Sequence, residues 1–188
     1  MDRRDFVKRA AASTSLALAF KIGASSVLLS PREARAERIP LQSLDADQAK
    51  MIEALAEFIV PGCTEAGLVH FIDHQLNEDP DDCMLILKFF GLPPPYLDFY
   101  VSGLDTISKI SEQRYKKPVL QLEQNELAKI AEYVATPDRV SDDGYPLFLF
   151  YMCLRSDAVD MVYGTPRGFE KLNIPYMAHI EPPEGWNG

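Results

Sequence analysis

An all-α fold, a small helical bundle forming a single domain, is predicted by three observations. Apolar residues recur at helical spacing in one segment after another, no run alternates with the period of a strand, and no internal repeat is visible. Past the last helical pattern, Pro166, Pro175, Pro182 and Pro183 exclude a long helix, so the bundle should end in an irregular, Pro-rich C-terminal arm. The expected organisation is a targeting segment over residues 1–36, a helical domain over 37–164 and an extended arm over 165–188.

The targeting segment opens with Arg3 and Arg4, followed by Phe6 and then Lys8. This order resembles the bacterial twin-arginine export motif, with Val7 at the position usually held by leucine. Ala10 to Phe20 is apolar but rich in Ala, Ser and Thr, as suits a translocase that carries folded proteins. Lys21 interrupts it before Ile22 to Leu29 resume, so no run approaches the ~18 residues of a membrane-spanning helix. Ala34-Arg35-Ala36 supplies an A-x-A site, which predicts cleavage after Ala36 and a mature chain starting at Glu37 in the periplasm. An amphipathic N-terminal helix or an uncleaved anchor would use the same residues.

In the mature region, Glu37 to Leu44 reads as an extended arm around Pro40. Asp45 offers an N-cap, with Gln48 placed for a capping box, and Met51, Ile52, Leu55, Phe58 and Ile59 define one face of the first helix. Pro61-Gly62 stops it. A second helix is expected from about Thr64 to Leu76, with Leu68, Ile72 and Leu76 on one face. After an acidic turn over Asn77 to Asp82, Cys83 to Phe90 reads as a short helix, apolar nearly all round and therefore buried. Gly91 and Pro93-Pro94-Pro95 end it. Leu97, Tyr100, Val101, Leu104, Ile107 and Ile110 then give the clearest amphipathic pattern, closed by the turn at Lys116-Lys117-Pro118. Asn125 to Val134 forms the next helix through Leu127, Ile130, Ala131 and Val134. A polar loop over Thr136 to Gly144 leads to Pro146, placed as the first residue of a last helix that carries Phe148, Leu149, Met152, Val159 and Val162.

Removing residues 1–36 leaves 152, enough for one domain with a sizeable core. It also leaves 12 basic and 25 acidic side chains, a formal charge of −13. That charge argues against a nucleic-acid backbone or an anionic membrane surface as partner. Three cysteines, Cys63, Cys83 and Cys153, leave at least one unpaired or bonded to another chain. None has C-x-x-C spacing, so no iron–sulfur cluster, covalent haem or zinc knuckle is indicated.

The search for chemistry finds little. His70 and His74 lie four residues apart with Asp73 between them, an order resembling H-x-x-E-H with the acid one methylene shorter. A working metal site needs a further ligand, and the alternative places both histidines on a solvated face opposite Leu68 and Ile72. No phosphate-cradling glycine motif and no nucleophile elbow occur, so no catalytic or cofactor-binding residue is assigned to this chain. The arm is more informative. It carries Tyr163, Phe169, Ile174, Tyr176 and Trp186 on a backbone restricted by proline. Such a segment suits either a strap over its own helices or a docking arm for another protein.

Taken together, the twin-arginine start, "LDADQAKMIEALAEFIVPG", "EAGLVHFIDHQL", "YLDFYVSGLDTIS" and "YGTPRGFEKLNIPY" resemble the gluconate 2-dehydrogenase subunit 3 family across nearly all of residues 41–186. The matching positions are Leu55, Ile59, Pro61, Gly62, Glu65, Ala66, Gly67, Val69, Phe71, Ile72, Asp73, Gln75 and Leu76. The second half agrees in layout more than in letters. The glycine-rich stretch of many members is reduced here to Tyr163-Gly164 and Gly168-Phe169. The resemblance implies a non-catalytic small subunit of a membrane-associated periplasmic dehydrogenase. Its large partner is a flavoprotein of the glucose–methanol–choline class that holds FAD and oxidises a sugar, polyol or aldonate. A multihaem cytochrome c subunit, where present, carries haem c and passes electrons to quinone. The small subunit is expected to carry the signal for the twin-arginine translocase and to assist maturation of the flavoprotein, with Cys153 a candidate for a disulfide to that partner. A free-standing periplasmic metal enzyme using His70, Asp73 and His74, or a structural periplasmic protein, are the alternatives.

Overall fold

The computed structural model describes residues 16–23 and 25–173. Among them, nine α-helices and one two-stranded hairpin form a mainly helical domain, in agreement with the all-α expectation.

The hairpin lies inside the expected targeting segment. Strand β1 (Leu18–Ile22) pairs antiparallel with β2 (Ser25–Leu29), bringing Leu18 opposite Leu29 and Phe20 opposite Val27. Leu18 and Phe20 alternate inward, as the period of two requires, while Ala19 and Lys21 face solvent. Helix α1 (Pro31–Ala36) follows at once. Ser30 caps it in a reciprocal box, its backbone N–H donating to Glu33 Oε2 at 2.8 Å, and Pro31 occupies the first turn, where its missing N–H costs nothing. Residues 18–36 belong to the same apolar cluster as the helices that follow, so the division expected at Ala36 coincides with no break in packing.

Helix α2 (Ala46–Ile59) begins at the predicted capping box. Gln48 N–H donates to Asp45 Oδ1 at 2.8 Å, and Asp45 N–H donates to Gln48 Oε1 at 3.0 Å. Its inward face is Ala49, Ile52, Leu55 and Ala56, whereas Phe58 stays exposed. The helix expected over Thr64 to Leu76 is two helices, α3 (Cys63–Ala66) and α4 (Leu68–Leu76). Gly67 separates them at φ +86°, a left-handed conformation that glycine adopts without a Cβ penalty.

The expected helix over Cys83 to Phe90 shrinks to α5 (Ile86–Phe89). Its first amides are claimed from outside instead: Met84 N–H donates to Gln75 Oε1 at 2.7 Å and Ile86 N–H to Asp157 Oδ1 at 3.0 Å. The expectation of all-round burial also fails, because Phe89 is 71 % exposed and Phe90 and Met84 are exposed as well.

Helix α6 (Tyr96–Tyr115) buries Tyr100, Leu104, Ile107 and Ile110 as its period predicts. A one-turn 3-10 helix (Val119–Gln121) leads to α7 (Gln124–Val134), which buries Ile130, Ala131 and Val134. Helix α8 (Leu147–Tyr163) is the axis of the domain, touching every helix from α2 to α7 and also α9. Pro146 is its cap rather than its first residue. The innermost stripe is Leu147, Phe150, Leu154, Asp157 and Met161, not the predicted Phe148, Leu149 and Met152, which are half-buried. A central helix surrounded by neighbours is apolar all round, and periodicity then fails to rank its faces.

The arm is not wholly irregular. Helix α9 (Pro166–Lys171) starts with Thr165 Oγ1 accepting from Gly168 N–H at 3.1 Å, and Pro166 again fills the first turn. No helix among the described residues is long and apolar enough to cross a membrane.

Candidate interaction site

The chemistry candidates of the sequence, His70, Asp73 and His74, sit together on α4, but facing the N-terminal segment rather than solvent. Phe20 lies edge-on to both imidazoles, with ring centroids 5.0 Å from His74 and 6.5 Å from His70. The Nε2–H of His74 donates to the Ala19 carbonyl at 3.3 Å, and that of His70 to the Ile39 carbonyl at 3.2 Å. Burial holds His70 below the usual imidazole value, and its Nδ1 is buried without a partner, so the neutral ring is the form that fits. The solvated-face alternative is thereby corrected for His74, which is buried, and for His70, which is half-buried. Hairpin β1–β2, assigned by sequence to a leader, is what covers them.

Asp73 works in another direction. Its carboxylate accepts the backbone N–H groups of Gln42 (2.8 Å), Ser43 (2.9 Å) and Leu44 (2.9 Å), fixing the approach to α2. Three of its acceptor positions are thus turned to the backbone, and no cluster of three or more His, Cys, Asp or Glu suited to a metal occurs among the described residues.

A cleft of about 640 Å³ opens between α1, α4, α8 and α9. Leu16, Phe71, Met84 and Met161 supply its apolar lining, and Arg32, Thr165 and Arg167 its polar end. Glu65 ties this end together by pairing with Arg32 and, at 3.4 Å, with Arg167. The hydrogen bond from Arg32, with both guanidinium charges, holds Glu65 below the usual carboxylate range. Tyr163 and Phe169, expected in docking, are half-buried at the junction of α8 and α9. Ile174, Tyr176 and Trp186 lie outside the described residues, as do Arg3, Arg4, Phe6 and Lys8 of the export motif. Ala34 is fully enclosed in α1, and Ala36 is exposed at its end.

All three cysteines are free and buried. Burial pushes Cys63 and Cys153 up to about 12, so neither holds a thiolate at neutral pH. A disulfide from Cys153 to another chain requires the packing around α8 to open.

Two acids escaped the sequence reading. Glu57 accepts from Gly62 N–H at 2.7 Å and Thr64 N–H at 2.9 Å, bracing the turn from α2 to α3. Asp157 is enclosed in the core, where Tyr100 Oη donates to it at 3.1 Å alongside the Ile86 amide. Desolvation pushes Asp157 up to about 7, against the pull of those two donors. Its signal was an acid on the inner stripe of α8, legible only once that stripe is known.

These polar groups hold loops and helices together; none is paired as nucleophile and base. No curated protein and no solved structure gives a match. A protein family does: the one described as Gluconate 2-dehydrogenase subunit 3 matches residues 46–179, from the first residue of α2 to beyond α9. The chain belongs to the gluconate 2-dehydrogenase subunit 3 family.

Proposed function

We propose that this chain is the non-catalytic small subunit of a periplasmic, membrane-associated dehydrogenase complex of the gluconate 2-dehydrogenase type. The family match over residues 46–179 carries the reading. FAD and the oxidation of a sugar, polyol or aldonate belong to a large flavoprotein partner, and haem c to a cytochrome subunit where the complex has one. This chain lends its twin-arginine signal to the folded flavoprotein and assists its maturation.

Three features support a role through surfaces. The Nε2 atom of each histidine is spent on a backbone carbonyl, and two thiols are held neutral by burial. The exposed Phe89 and Phe90 give α5 an apolar face of the kind found in interface cores. Replacing both Arg3 and Arg4 with Lys is expected to trap dehydrogenase activity and flavin in the cytoplasm, read by fractionation of cells that make both subunits. Activity reaching the periplasm unchanged would refute shared export. Loss of flavin from protein captured through wild-type chain would refute the partnership itself.

A further inference from the structure

We infer that residues 16–36 remain part of the folded domain, because the bond after Ala36 is closed to a peptidase while α1 is packed. A peptidase takes its substrate as extended chain, and exposed, loosely held backbone is where chains are cut. Here the residues that would enter its pockets are helical. The Ser30–Glu33 box anchors α1, and Ala34, whose methyl a peptidase must recognise, has no exposed surface. Helical closure continues past the bond itself: Glu37 N–H donates to Glu33 O at 2.8 Å, Arg38 N–H to Arg35 O at 3.0 Å and Ile39 N–H to Ala34 O at 2.9 Å.

The rest of the domain is shaped to receive this segment. A Cβ at Gly67 would stand 2.2 Å from the Pro31 carbonyl oxygen, so only glycine lets α1 approach there. Glu65 takes Arg32, His70 and His74 reach carbonyls on either side of α1, and Phe20 closes over both imidazoles. Leu18, Phe20, Leu29 and Ala34 are each under a tenth exposed and share the common core. Cutting after Ala36 would leave His70 its bond to the Ile39 carbonyl but strip the other contacts and uncover the His74 ring. The covering segment precedes residue 46, where the family match begins.

The inference leans on the export reading only for which peptidase meets the chain. Full-length protein with a C-terminal tag, made in a bacterium with a twin-arginine translocase, is recovered from the periplasm and weighed by intact mass. A chain that still contains residues 16–36 is expected; a chain starting at Glu37 overturns the inference. Gly67→Ala leaves residues 1–36 untouched but drives α1 off, and should raise the fraction cut after Ala36 roughly tenfold or more, since cutting follows the open population. A well-folded variant that stays uncut shows that packing is not the protection, and equally overturns it. Trypsin on purified wild type decides the matter even if no chain is exported: cutting at Arg35 should lag behind cutting at the exposed Lys116 turn, and equal rates refute the claim.

Discussion

Phe20 and Tyr100 are both nearly enclosed, at 4 % and 0 % exposed, yet they are held in opposite ways. Phe20 lies in the N-terminal cover, where it packs edge-on over two imidazoles that bond to main-chain carbonyls. Tyr100 lies in the bundle, beside Phe99 and Phe150, and its hydroxyl donates to Asp157, which also binds the Ile86 amide. That one carboxylate cross-links α6, α8 and α5, three elements far apart in the chain. The cover is a layer laid on α4; the bundle is knitted through its interior. Equal burial thus conceals different cooperativity, since a layer can lift without breaking any helix beneath it.

The largest effect should come from Phe20→Ala, which empties a buried aromatic site and costs about 3 kcal/mol. If the cover is a separate layer, the loss appears as faster hydrogen exchange over residues 16–36, with the unfolding midpoint of the bundle nearly unchanged. A matching drop in the bundle midpoint would make cover and bundle one cooperative unit.

Next in size is a pair of opposite pH responses. Asp157 has its folded value raised from 3.8 to about 7, so the folded chain holds its proton more tightly than the unfolded one. Bundle stability should therefore fall as pH rises through that window, by up to about 1.4 kcal/mol per unit, and level off above it. Asp157→Asn should flatten the slope, measured by denaturant unfolding at several pH values. His70 is shifted the other way, below 6.5, chiefly because burial disfavours its charged form. The unfolded chain then binds more protons, so the cover should loosen as pH falls below that value. Exchange protection of residues 16–36, corrected for intrinsic rate, would report it, and a cover indifferent to acid would break the contrast.

The smallest effect belongs to Glu65→Ala. Glu65 is exposed and its partners Arg32 and Arg167 are partly solvated, so screening leaves the ion pairs little weight. No measurable change in unfolding midpoint is expected; a clear drop would show that charge, not packing, fastens the cover.

Much of the bundle was legible because its segments obey local rules. The box at Asp45 and Gln48, the stop at Pro61-Gly62, and the faces of α6 and α7 all follow from spacing and capping residues. Failures fell where partners distant in sequence take over. The pattern predicts helix from Cys83, but Gln75 and Asp157 capture the Met84 and Ile86 amides and the helix starts only at Ile86. Prolines predict an irregular arm from residue 165 on, whereas Pro166 opens a turn of helix over Pro166–Lys171. His70 and His74 look like ligands or solvated groups in the sequence because the segment that covers them carries the pattern of a leader.

By itself, then, the sequence determined the helical class, the family and most helix boundaries, since capping, period and breakers act over a few residues. Only the tertiary structure decided which face of α8 is innermost, that Asp157 is enclosed, and that residues 18–36 pack on α4. Those outcomes depend on what covers a surface, and burial is a property of contacts between distant segments that no local pattern encodes.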